Sequence, residues 1–98
     1  MEIIKQRNEG ELTVQVIGRL DTTTAPELDA ALAPEYEGLT DLTFDLEGLE
    51  YISSAGLRVL LSAQKIMNNQ GKMQVKNAQE TVLEVFEVTG FSDILTIV

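Results

Sequence analysis

The chain has 98 residues, 44% of them hydrophobic and 23% charged, a balance that suits one compact domain over residues 1–98 and excludes a disordered chain. It contains neither cysteine nor histidine, which removes disulfides, thiolate metal sites, cysteine nucleophiles, the Ser-His-Asp triad and histidine-ligated metals. A net charge of −9 argues against nucleic acid and anionic membrane surfaces as partners; with no signal peptide and no apolar run near the ~18 residues of a membrane span, the default compartment is the cytoplasm.

In chain order, Ile3-Ile4 is a short apolar start, and Asn8-Glu9-Gly10 reads as a hairpin turn. Glu11 to Val16 alternates polar and apolar strictly, which predicts a strand with Leu12, Val14 and Val16 toward the core; Gly18 ends the regular run and Leu20 adds one apolar residue. Thr24 and Glu27 have capping-box spacing before a helix whose buried face is Ala25, Leu28, Leu32 and Tyr36, and Pro34 ends or kinks it near Ala33. Leu42, Phe44 and Leu46 mark a third strand. Ser53-Ser54-Ala55-Gly56 opens a helix with Leu57, Leu60, Leu61 and Met67 as its stripe, and Gly71 stops it. Met73 and Val75 mark a fourth strand. Asn77 and Glu80 have N-cap spacing for a third helix, with Val82, Val85, Phe86 and Thr89 along it and Gly90 closing it, and Ile94 to Val98 reads as a last strand. The order β-β-α-β-α-β-α-β predicts an α/β fold, a mixed and largely parallel sheet of about four to five strands with about three helices packed on it.

Two strand-to-helix loops concentrate the polar chemistry: Gly18 to Thr24, and Glu50 to Gly56. If their strands are parallel, both loops lie at one sheet edge, where open α/β sheets place their function. In the second loop Ser53 and Ser54 either only cap the helix or offer an exposed hydroxyl at a helix N-terminus, where unpaired N–H groups partly accommodate a phosphate. Ala55 and Gly56 are small and leave space for another protein. In the first loop Asp21 is either a turn residue, with Thr22, Thr23 and Thr24 supplying caps, or a polar contact near the serine for a partner or its metal-nucleotide. Arg19 and Arg58 are the nearest basic residues. Nine acids and no base lie between Asp21 and Glu50; that stretch is a solvated surface or a face that steers toward a basic partner. An enzymatic reading has only Asp21 and Asp45 as paired carboxylates, with no phosphate-binding glycine loop, no metal cluster and no activated nucleophile, so neither catalysis nor a cofactor is expected.

Gly18-Arg19-Leu20-Asp21 with Thr24-Ala25 and Leu28, and above all the run from Leu46 to Leu61 through Ser53-Ser54-Ala55-Gly56-Leu57-Arg58, resemble the two signatures of STAS domains of the anti-sigma factor antagonist family. Gly71-Lys72-Met73 and Val88-Thr89-Gly90-Phe91 also fit, so the resemblance runs from Ile3 to Ile97. It implies a non-enzymatic protein that binds an anti-sigma factor with serine kinase activity and so frees a sigma factor. Phosphorylation of one serine would end the binding and a PP2C-type phosphatase would restore it. The family's acceptor position matches Ser54, with Ser53 a rival, and its loop aspartate matches Asp21. Partner contact is then expected from Asp21, Thr22, Thr23, Ser53, Ser54, Ala55, Gly56 and Arg58. Two departures stand out: Ser53 replaces the aspartate many members have before the acceptor, and Ala55 replaces a serine or threonine after it. A further C-terminal helix found in many members is not among these residues. The alternative implied by the resemblance is a constitutive, unphosphorylated subunit of a larger regulatory or transport complex.

Overall fold

A computed structural model describes all residues, 1–98. Strands β1 (Glu2–Asn8) and β2 (Glu11–Leu20) form an antiparallel hairpin through the Glu9-Gly10 turn. Helix α1 (Ala25–Leu32) and a 3-10 turn over Ala33–Glu35 lead to β3 (Asp41–Asp45), which lies parallel to β2. Then come β4 (Leu49–Ile52), α2 (Ser54–Asn68), β5 (Lys72–Lys76), α3 (Glu80–Val88) and a 3-10 turn over Phe91–Asp93. The main sheet runs β1-β2-β3-β5, and β4 pairs in parallel with the far end of β2. The α/β class and the mixed, mainly parallel sheet agree with the sequence expectation.

Period-two patterning decides which side of the sheet is covered. Leu12, Val14 and Val16 of β2, Leu42 and Phe44 of β3, and Met73 and Val75 of β5 are buried. They form one core with Leu28 and Leu32 of α1, Leu57, Leu60, Ala63 and Met67 of α2, and Val82 and Phe86 of α3. The opposite face carries the cross-strand row Gln6, Thr13, Thr43 and Gln74, polar throughout and at least partly exposed. Each of those apolar side chains, withdrawn from water, contributes ~1.5–3 kcal/mol, so the helices pack where the row of Leu, Val and Phe lies.

Several local expectations change. Leu49–Ile52 forms a strand where the sequence reads as the start of a loop. The last apolar segment lies parallel to β5 but contributes a single bridge, Val75 to Ile97, with Val75 N donating to Thr96 O at 2.8 Å and Val98 N to Val75 O at 2.9 Å. In α2, Leu61 is only half-buried; Val59, Ala63 and Gln64 turn inward beside Leu57, Leu60 and Met67. α2 ends at Asn68 with Asn69 as its cap, before Gly71, which does not take the left-handed conformation; residue 71 is glycine for a steric reason, because a Cβ there would run into Thr40 O. Gly90 does adopt the left-handed conformation, φ 80°, that closes α3.

Candidate functional site

The two loops meet at one edge of the molecule. β2 and β4 run in parallel with Leu20 opposite Ile52, so the residues that follow, Asp21 and Ser53, leave adjacent strand ends. Ser53 N donates to Leu20 O at 2.9 Å, a main-chain bond that joins one loop to the other. A groove of about 350 Å³ continues from this edge between α1 and α2, lined by Thr22, Ala25, Pro26, Asp29, Ala55 and Arg58, among others.

The two serines have different surroundings. Ser53 precedes α2 in extended conformation, φ −98° and ψ 176°, and its Oγ accepts a hydrogen bond from Gly56 N at 3.4 Å. That is the N-cap geometry, in which a side-chain oxygen satisfies one of the first unpaired N–H groups of a helix. Ser54 is the first residue of α2, is exposed, and has its hydroxyl free of the cap. Ala55 is half-buried in the groove wall. Gly56 is buried: a Cβ there would lie 2.8 Å from Leu20 Cγ and 2.9 Å from Ile52 Cγ1, so its small size lets α2 sit down on the ends of β2 and β4. Arg58 is exposed on the next turn.

Asp21 organises its own loop. Its Oδ1 accepts from Thr23 N at 3.0 Å and Thr24 N at 3.1 Å, and Asp21 O accepts from Ala25 N at 2.8 Å. Helical winding therefore begins before α1, and Asp21 does the capping that the Thr24–Glu27 spacing assigns to Thr24. Thr24 is already helical, φ −95° and ψ −21°, with no cap bond. Its hydroxyl accepts from Asp21 N at 2.8 Å and donates to Arg19 O at 2.8 Å, which fastens the loop back onto β2. The N–H of Thr24, with that of Thr23, holds the Asp21 carboxyl below the usual carboxylate range against a smaller opposing effect of burial. Thr22 and Thr23 are exposed, Thr22 toward the groove and Thr23 outside it.

Sequence reasoning missed an aromatic contact at this edge. Arg19 lies over the Tyr51 ring, 4.2 Å from its centroid, with its Nε 4.0 Å from Asp21 Oδ2. Tyr51 belongs to β4, the strand without a period-two signal. Asp45, the other carboxylate of the enzymatic reading, is not brought to Asp21. It pairs with Gln15, six residues before Asp21 along β2, a separation on the order of 15–20 Å. Burial raises its pKa, but bonds from Glu47 N and Asn77 Nδ2, both 3.2 Å, outweigh that and hold it low. The described groups include no cluster of acidic residues able to hold a metal ion, and no helix is long and apolar enough to cross a membrane.

The STAS domain model matches residues 2–98. The chain belongs to the STAS domain family. Among curated STAS relatives, the anti-sigma-B factor antagonist of Bacillus subtilis is 32% identical over 93 residues, covering 94% of this chain and 85% of that protein. Solved STAS structures share the fold. An anti-sigma factor antagonist from Mycobacterium paratuberculosis superposes with a TM-score of 0.88 at 22% identity, over 98% of this chain and 83% of that one. The Bacillus cell fate determinant SpoIIAA, solved in its phosphorylated form, gives 0.78 at 16% identity, over 99% and 91%.

Proposed function

We propose that this STAS domain is an anti-sigma factor antagonist switched by phosphorylation of Ser54. Unphosphorylated, it binds an anti-sigma factor with serine kinase activity and so frees a sigma factor. The kinase phosphorylates Ser54, the complex dissociates, and a PP2C-type phosphatase restores the binding form. The protein acts by binding in the cytoplasm and catalyses nothing itself. The observation that carries this reading is the division of labour at the start of α2: Ser53 is tied down as the cap, whereas Ser54 presents a free hydroxyl at the exposed helix N-terminus. The relative's name, anti-sigma-B factor antagonist, supports the partner class.

The mechanism needs no refolding. A phosphate adds about −1.5 to −2 charges at neutral pH. The helix N-terminus still offers N–H groups to it in the free protein, but a partner packed over a neutral hydroxyl has nothing to pair with it. Unpaired or like-charge contacts of this kind cost several kcal/mol, enough to weaken binding ~100-fold or more. The acids at this edge, Asp21 in its loop and Asp29 in the groove wall, add repulsion.

The test is capture from native extract with and without ATP and magnesium, identification of the bound kinase, and phosphosite mapping with that kinase purified. One phosphate on Ser54, abolished in Ser54→Ala and retained in Ser53→Ala, supports the switch. A phosphate on Ser53 moves the site by one residue. A bound partner that modifies neither serine replaces the switch with a constitutive subunit of a larger complex.

A further inference from the structure

Tyr51 stands out in β4. Leu49 and Ile52 are essentially fully buried, yet the ring between them is 42% exposed. Strict alternation would put Leu49 and Ile52 on opposite faces. The pairing with β2 instead skips a residue: Gly18 faces Leu49, and Arg19 faces Tyr51, so Glu50 is the extra residue of a bulge. Bulges of this kind re-aim a side chain beside functional sites. Here the bulge returns Ile52 to the core and leaves Tyr51 outside, directly across from Arg19. Gly18, with φ 104°, supplies the backbone conformation at the β2 side of the irregularity.

The Arg19 side chain is 60% exposed but held in place, its guanidinium 4.2 Å above the ring and 4.0 Å from Asp21 Oδ2, too far for a hydrogen bond. Its N–H donors therefore face solvent from a fixed plane, a fork that matches a carboxylate bidentately. Arginine and tyrosine are also the side chains that carry most binding energy at interfaces. The pair is continuous with the serine loop, because Leu20, next to Arg19, takes the main-chain bond from Ser53 N.

Resting on the switch reading above, we infer that Arg19 and Tyr51 form a second recognition element for the same kinase. Arg19 takes a carboxylate of the partner, while the Tyr51 ring holds the guanidinium in position and packs against the partner's surface. The serine loop reports phosphorylation; this pair contributes affinity and partner choice.

The experiment titrates the purified kinase identified by capture with the wild-type chain and with Arg19→Ala, Arg19→Lys, Tyr51→Ala, Tyr51→Phe and Ser54→Asp, each checked for an unchanged melting temperature. Arg19→Ala and Tyr51→Ala should each raise Kd at least about tenfold. Tyr51→Phe, which keeps the ring face, should bind nearly as the wild type does, and Arg19→Lys, which keeps the charge but loses the fork, should fall between. If Ser54→Asp weakens binding while the Arg19 and Tyr51 variants bind normally, the inference is overturned and the switch stands. Loss in Arg19→Ala without loss in Tyr51→Ala overturns the pairing and leaves Arg19 acting through Asp21. Self-association of the wild type that Tyr51→Ala abolishes makes the patch a contact between copies and overturns the inference. If no kinase binds the wild type, the reading and the inference fall together.

Discussion

Replacing Ser53 with alanine removes the side-chain acceptor at the start of α2, and replacing Ser54 does not. Ser53→Ala should therefore lower stability by about 1 kcal/mol, toward the smaller end because the bond to Gly56 N is 3.4 Å long. Ser54→Ala should stay within ~0.5 kcal/mol of the wild type. Urea unfolding followed by circular dichroism separates the two, and equal losses would mean that both hydroxyls cap. Asp21 gives a test in pH. Its folded pKa lies below the ordinary 3.8, because the ionised carboxylate accepts the N–H groups of Thr24 and Thr23. A lowered pKa contributes stability that is fully present above the unfolded value and is lost as pH falls through the folded one. Asp21→Ala should therefore melt lower than the wild type at neutral pH, and the gap should narrow as pH drops below about 4. A gap that does not change with pH would show that the charge of Asp21 is immaterial to its loop.

At the scale of elements, two glycines hold the layers together. In Gly71→Ala the new Cβ would sit 2.0 Å from Thr40 O, a backbone atom that cannot move without shifting the start of β3. In Gly56→Ala the obstacles are buried side-chain carbons, Leu20 Cγ and Ile52 Cγ1, at 2.8 and 2.9 Å, which can give way more easily than backbone. Gly56→Ala should cost ~1–3 kcal/mol, as overpacking does, and Gly71→Ala clearly more, with equilibrium denaturation as the check. The same scale shows what the residues announced. β2, β3 and β5 were legible because one face of each is buried, which imposes period two. The start of α2 was legible because Ser53 to Gly56 combines a cap with small residues before an aliphatic stripe; those residues left Ser53 and Ser54 open, and only the family resemblance picked out Ser54. β4 was not, because its bulge gives buried, exposed, exposed, buried in place of alternation, and so Tyr51 was passed over. Cap spacing misled twice. Thr24 is not the cap because Asp21 winds the chain earlier. Asn77, at φ 59°, turns its amide to Asp45 Oδ1, and α3 begins after Gln79 without a side-chain cap.

Over the whole molecule, sixteen acids face seven bases. Three of the bases are paired locally: Lys5 and Arg7 both reach Glu35, at 3.0 and 3.2 Å, and Lys72 reaches Asp41 at 3.4 Å. Glu27, Asp29, Glu37, Glu47 and Glu50, all from the acid-only stretch, have no ion-pair partner and are exposed. Self-repulsion should then outweigh these few pairs, which are worth ~0–1 kcal/mol each when exposed. Raising the ionic strength from about 0.01 to 0.15 M shortens the Debye length from ~30 to ~8 Å and should raise the melting temperature. A fall would mean that the ion pairs dominate. The bond from Ser53 N to Leu20 O has a different reach. It is made of peptide atoms alone, so every sequence able to keep this backbone, proline at position 53 excepted, keeps it, whatever side chains stand on either side. The spacing between the two loops is thus insulated from the alphabet displayed upon it, and partner preference can be rewritten one letter at a time while the frame that aligns those letters stays fixed.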